Sequence, residues 1–217
     1  MHSLVTDILF IPPILLALTV HEYFHGYTAL KMGDPTAKFA GRLTFNPIKH
    51  IDIFGLLAFI LFRFGWAKPV PIQPSNFRDI KKGVLYTSLA GPISNFALAL
   101  LFGLILRFFP TDIAILVPIQ AMLGGGLILN LIFCAFNLIP IPPLDGSHVL
   151  FTFLPPDYDH IRFWLERYGF VLLIGLIFFD RITGVPVLWG WIWPFVSLFG
   201  QLFAGSSAFW AFIMRFL

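Results

Sequence analysis

Charged residues are scarce in this chain: 12% of its 217 residues are Asp, Glu, Lys or Arg, against a hydrophobic share of 58% and a mean hydropathy of +0.87. Soluble globular domains carry about 25% charged residues, so that class is excluded and a polytopic membrane protein is left. Cysteine is scarcer still. Cys134 stands alone, which rules out an internal disulfide, and its apolar surroundings make it a small packed hydrophobe. No Lys or Arg precedes Lys31, so the apolar stretch Leu4 to Val20 lacks the basic start of a secretory signal. It also lacks a small-residue cleavage site and is read as retained structure. The net charge of +3 is not the clustered basic face of a groove reader, and no nucleic-acid partner is expected.

What the apolar text does contain is a histidine motif. Val20-His21-Glu22-Tyr23-Phe24-His25-Gly26 reads H-E-x-x-H. At helical spacing both imidazoles face one way and reach a single Zn²⁺, with Glu22 beside the water that such an ion activates. A span of about 20 residues beginning near Leu4 runs through this motif towards Lys31, which puts His21 roughly 15 Å along the helix from that lysine and inside the membrane. A single membrane histidine is commonly a helix-packing hydrogen-bonder. Three ionisable groups in five residues at that depth are costly without a metal or partner.

Span one is expected over Leu4 to Leu30, bent near Pro12-Pro13 and stopped at Met32-Gly33-Asp34-Pro35. Thr36 to His50 is broken by Gly41 and Pro47 and reads as a short hairpin or irregular loop. Ile53 to Phe62 is apolar but about half the crossing length, hence re-entrant or interfacial. Gly65 to Pro74 is proline-rich and must be extended, either a rigid linker or an offer of backbone groups to a peptide. Span two is expected over Val84 to Phe109, interrupted at Ala90-Gly91-Pro92, and span three over Ile113 to Phe136. The prolines of Asn137-Leu138-Ile139-Pro140-Ile141-Pro142-Pro143-Leu144-Asp145-Gly146-Ser147-His148 then end the helix and leave Asp145 in a turn. Tyr158 to Arg167 is interfacial in character, Tyr168 to Phe179 apolar but short, and Val185 to Ala204 long enough to span, with Trp189, Trp191 and Trp193 as an aromatic belt.

Nine basic residues lie between the first two spans: Lys31, Lys38, Arg42, Lys49, Arg63, Lys68, Arg78, Lys81 and Lys82. Positive charge marks the cytoplasmic side, so Asp145, at the end of span three, returns to the side where the histidine motif ends. A catalytic zinc takes three protein ligands and keeps one open position. Asp145 is the favoured third ligand and His148 its competitor. Asn137 and Asn95 are amides at similar depth, suited to hold a substrate backbone or a developing oxyanion, or simply to join helices.

The chain resembles the site-2 proteases, a family of zinc intramembrane metalloproteases. The resemblance is carried by His21-Glu22-x-x-His25, Gly41-Arg42-Leu43-Thr44-Phe45-Asn46-Pro47, Gly65-Trp66-Ala67-Lys68-Pro69-Val70-Pro71, Ala90-Gly91-Pro92-Ile93-Ser94-Asn95 and Asn137-x-x-Pro140-x-x-x-Leu144-Asp145-Gly146, over roughly residues 15 to 150. It implies one Zn²⁺ per chain held by His21, His25 and Asp145, Glu22 as general base, Asn137 near the scissile carbonyl, and single transmembrane helices as substrates. It also implies a three-span core opening to the cytoplasm. Gly26 and Ser147 stand where the family often has alanine and glycine, and no stretch suits the PDZ or CBS domain of larger members.

The resulting expectation is an all-α polytopic membrane protein forming one domain over residues 1–217. A catalytic core of three spans (about 4–155) carries a re-entrant or short β element between spans one and two, and further apolar segments follow. Its expected activity is a zinc-dependent endopeptidase of a prokaryotic plasma membrane, cutting membrane-embedded or membrane-adjacent chains. Lys68, Pro69 and Val70 are expected to help Asn95 bind the substrate, pairing with it where its helix unwinds. The alternative is a non-catalytic membrane protein that binds or senses metal at the same site.

Overall fold

The helix that carries the histidine motif, α1 (Leu4–Met32), ends as its sequence dictates. Gly33 adopts φ 115°, its N–H returns to the Leu30 carbonyl at 3.2 Å, and the Asp34 N–H reaches Ala29 O at 2.9 Å, the bonding of a glycine-terminated helix. The computed structural model describes residues 4–62, 65–110 and 113–216; Arg63, counted above among the basic residues, lies outside them.

After α1 the chain forms α2 (Thr36–Phe39), a 3₁₀ turn at Pro47–His50, and α3 (Ile53–Phe62). An extended segment leads to a second 3₁₀ turn, Pro74–Asn76. Among the described residues the β element expected here shrinks to one antiparallel bridge, Ile51 with Ala67, and no strand forms. Proline removes the donors a ladder needs, and Ile53 to Phe62 closes its own bonds as a helix instead.

The second long helix, α4 (Ile80–Phe108), is capped by Asp79, whose carboxylate accepts from Lys82 N at 3.0 Å. It was expected to break at Ala90-Gly91-Pro92 but runs through that sequence, Pro92 included. Helical neighbours tolerate such a proline when they use the carbonyls it loosens, and the Thr87 carbonyl in the preceding turn is taken by a side chain of α1. Beyond it lie α5 (Val117–Asn137), α6 (Asp145–Phe153), α7 (Asp159–Thr183), α8 (Val187–Ala204) and α9 (Ser206–Phe216). Asp145, expected in a turn, is the first residue of α6. The two short pieces expected between Tyr158 and Phe179 are one continuous helix, α7.

Ile8–Met32, Ile80–Phe108, Val117–Asn137 and Val187–Ala204 are long and apolar enough to cross a membrane. The fold is all-α and polytopic, and the chain is an integral membrane protein. Helices α1, α4 and α5 pack against one another, α8 against α4 and α5, and α9 against α8. Leu127, Leu131, Val196 and Phe209 are sealed at the centre of that contact, and Phe212 of α9 sits against Gly124, where any side chain would collide with its ring.

Candidate metal centre

One turn of α1 separates His21 from His25, and the two rings meet edge to face with centroids 4.5 Å apart and Nε2 atoms 2.9 Å apart. The third group arrives from the far end of α5. A Cβ at Gly146 would lie 2.4 Å from the Leu138 carbonyl oxygen, so only glycine lets the start of α6 fold back this tightly on the end of α5. That approach sets Asp145 Oδ2 at 3.3 Å from both Nε2 atoms. His148, the competing ligand, is exposed and lies outside this group.

The proton inventory shows what this cluster needs. His25 Nδ1 lies 2.7 Å from the Thr87 carbonyl, which only accepts, so Nδ1 carries the proton and Nε2 a lone pair. His21 Nδ1 lies 2.6 Å from Asn95 Oδ1 and is a donor in the same way. Two lone pairs and a carboxylate oxygen then face each other, and Asp145 Oδ2 is buried with no hydrogen-bond partner. Acceptors so crowded require a positive centre. Nitrogen and oxygen ligands in this number fit zinc, with metal–nitrogen distances of about 2.0–2.1 Å. Gly91 of α4 makes room: a Cβ there would lie 2.3 Å from His25 Nε2 and 2.7 Å from His21 Nε2.

Glu22, His21 and His25 are all less than a tenth exposed. The Glu22 carboxylate accepts the Val70 N–H at 2.8 Å, which brings the extended segment directly onto the proposed base. That contact revises the expected role of Val70, since its only backbone donor is spent on the protein itself. The Lys68 N–H is likewise held by His50 O at 2.9 Å and its carbonyl by Arg42 Nη2 at 2.6 Å, while the Pro69 between them has no N–H to offer. Asn95 departs further from expectation. It is 0% exposed, with Nδ2 donating to Ala17 O (3.1 Å) and Asn130 Oδ1 (2.8 Å) and Oδ1 facing His21, so it supports His21 and is sealed from a substrate. Asn137, half-buried at the end of α5, donates to the Phe133 carbonyl of its own helix at 3.0 Å.

Two polar residues escaped the sequence reading. Asn130 of α5 is fully buried and accepts from Asn95 Nδ2 at 2.8 Å. Asp34, read above only as part of the stop after span one, is fully buried and accepts from Gln73 N (2.7 Å), Asn76 Nδ2 (2.9 Å), Thr36 N (3.0 Å) and the Thr36 hydroxyl. Burial alone would raise its pKa, but the bonds from Asn76, Gln73 and Thr36 outweigh it and hold the carboxyl below its ordinary value. The Asp-x-Thr spacing hints at the local turn, whereas the partners some forty residues away leave no trace in the sequence.

The chain is 37% identical over 181 residues to the Bacillus subtilis protein named "Putative zinc metalloprotease YwhC", covering 81% of this chain and 82% of that one. It is 32% identical over 202 residues to "Putative zinc metalloprotease Rip2" of Mycolicibacterium smegmatis, covering 90% of this chain and 73% of the relative. A more distant similarity, 26% over 161 residues, links it to "Zinc metalloprotease MJ0392" of Methanocaldococcus jannaschii, of which it covers 38%, and 74% of this chain is matched. No family model matches the chain, and no solved structure matches it significantly.

Proposed function

The chain belongs to the same family of zinc metalloproteases as YwhC and Rip2, and from that premise we propose that it is an intramembrane endopeptidase of the site-2 protease type. The observation that carries the proposal is the convergence of His21, His25 and Asp145 on one point, with both histidines and Glu22 in a helix apolar enough to lie in a bilayer. One zinc ion per chain would be held by those three residues and would supply Lewis acidity towards a peptide carbonyl and a water.

The protein's own groups do the rest. Glu22 takes the proton from the attacking water and delivers it to the leaving amine, with one carboxylate oxygen steadied by Val70 N–H. Asn137 ends α5 beside Leu138, against which Gly146 packs, and is suited to hold the scissile carbonyl once its bond to Phe133 O is exchanged. A substrate helix must unwind to expose a carbonyl, and its freed backbone groups need partners in the membrane. The segment Gly65 to Pro74, extended beside Glu22 up to the 3₁₀ turn that Pro74 begins, is proposed to provide them through backbone groups other than the Val70 N–H. The basic residues between α1 and α4 support a cytoplasmic opening, the bacterial and archaeal sources of the relatives support a prokaryotic plasma membrane, and a site borne on a membrane-long helix suits a single-pass or membrane-associated protein as substrate.

The test is metal content set against hydrolysis in detergent-purified protein. Alanine at His21, His25 or Asp145 is expected to strip zinc, whereas Glu22→Gln keeps zinc and loses peptide cleavage by at least about 100-fold, the low end of general-base contributions. Full zinc in Asp145→Ala would remove Asp145 from the site. Unchanged cleavage in Glu22→Gln would leave the non-catalytic, metal-binding reading.

A further inference from the structure

Behind His21 runs a chain of amides with ends fixed by main-chain carbonyls. Asn130 Nδ2 donates to the Gly126 carbonyl at 2.8 Å, one turn back in α5, and a carbonyl only accepts. The amide of Asn130 is therefore oriented with Oδ1 towards α4, where it accepts Asn95 Nδ2 at 2.8 Å. The same Asn95 Nδ2 also donates to Ala17 O in α1 at 3.1 Å, which fixes the second amide independently. Asn95 Oδ1 is then left facing His21 Nδ1 at 2.6 Å, and His21 must carry its proton there. Both asparagines are 0% exposed, so no water competes for any of these bonds.

We propose that Asn130, which touches no ligand atom, is a positioning residue of the metal centre: acting through Asn95, it fixes the tautomer and the aim of His21. This rests on the zinc reading given above. A helix-packing role alone would need only the bond between α4 and α5. The geometry adds that the bond is passed on, with orientation preserved, to a ligand on a third helix. Without the Asn130 oxygen, Asn95 Nδ2 keeps only Ala17 O, and its amide can turn its NH₂ towards His21. That rotation would favour the other tautomer, with the proton on Nε2 where the metal must bind.

The experiment uses full-length protein in detergent, with Zn²⁺ affinity measured by chelator competition and ligand geometry by the visible absorption of Co²⁺ at the same site. Asn130→Leu, close in size and without a polar group, is expected to bind Zn²⁺ about 10–100-fold more weakly, the usual effect of losing an outer-sphere partner, and to alter the Co²⁺ bands. Asn130→Asp, buried and therefore protonated, gives its carboxyl O–H to the Gly126 carbonyl, keeps an acceptor oxygen for Asn95 and is expected to match the parent in both measurements. Parent-like affinity and spectrum in Asn130→Leu would overturn the inference, as would an Asn130→Asp variant as weak as Asn130→Leu. A loss of thermal stability with an unchanged Co²⁺ spectrum would also overturn it, leaving Asn130 as helix packing. If Asn130→Leu is not monodisperse, Asn130→Ala, which adds no bulk, is read by the same criteria. Failure of the zinc reading itself looks different: parent protein and His21→Ala would then bind Zn²⁺ alike.

Discussion

Gly91 shows at the scale of one residue how the centre is built. Its Cα faces both imidazoles, and a Cβ at 2.3 Å from His25 Nε2 is more than an ångström closer than atoms in contact allow. Either α4 backs away or the ligands turn, and a catalytic group misplaced by 1 Å costs on the order of 100-fold in rate. Gly91→Ala is therefore expected to lower kcat/KM for a peptide substrate by about that factor and to weaken zinc binding while the helices stay folded. Parent-like cleavage and metal content would show that the site has slack there. Gly26, one residue past His25, offers the contrast: a methyl there would press chiefly on Leu43 Cδ2, the free end of a flexible side chain.

Among the elements, the segment from Gly65 to Pro74 is held by two carboxylates of the α1 region. Glu22 takes its Val70 N–H, and Asp34 takes its Gln73 N–H together with Asn76. The second anchor has a charge-dependent strength. Asp34 has a lowered pKa in the fold, so its ionised form contributes stability at pH values above the ordinary carboxylate pKa, and that contribution fades as pH falls through the lowered value. Thermal midpoints of the parent and of Asp34→Asn should differ most at neutral pH and draw together below about pH 4. A gap independent of pH would mean that shape and not charge secures the segment. Helix α7 plays a comparable part on the other side: Gly169 abuts Pro142, and Leu173 packs with Ile139 and Leu144, so the loop that presents Asp145 is backed by a helix outside the motif-bearing region.

For the whole molecule the open variable is its orientation in the bilayer. Lys49 and Arg78 are both exposed and flank α3, whose ten residues are too few to cross. Cysteines placed at these two positions in a Cys134→Ala background, which removes a buried thiol, should be labelled from one face only, and by the positive-inside rule from the cytoplasm. Labelling from opposite faces would mean that α3 crosses, and the histidine motif and Asp145 could not then share a side as the fold requires.

The long apolar helices, the turn at Gly33 and the histidine pair were all legible in the sequence, because each depends on neighbours within a few residues: hydropathy over one crossing length, a glycine at a helix end, two imidazoles one turn apart. Asp145 could be singled out as a companion of the histidine pair, since few carboxylates lie near the end of span three, and the structure brings it to 3.3 Å from both rings. The uninterrupted α4, the buried anchor at Asp34, and the commitment of Asn95 to His21 came only with the tertiary structure. In each case the deciding bond joins residues dozens of positions apart: Thr87 O with His25, Asp34 with Gln73, Asn95 with Ala17 and Asn130. A polar side chain in an apolar helix states that it needs a partner, but which groups satisfy it, and which of its atoms are left free, is settled only when the helices pack.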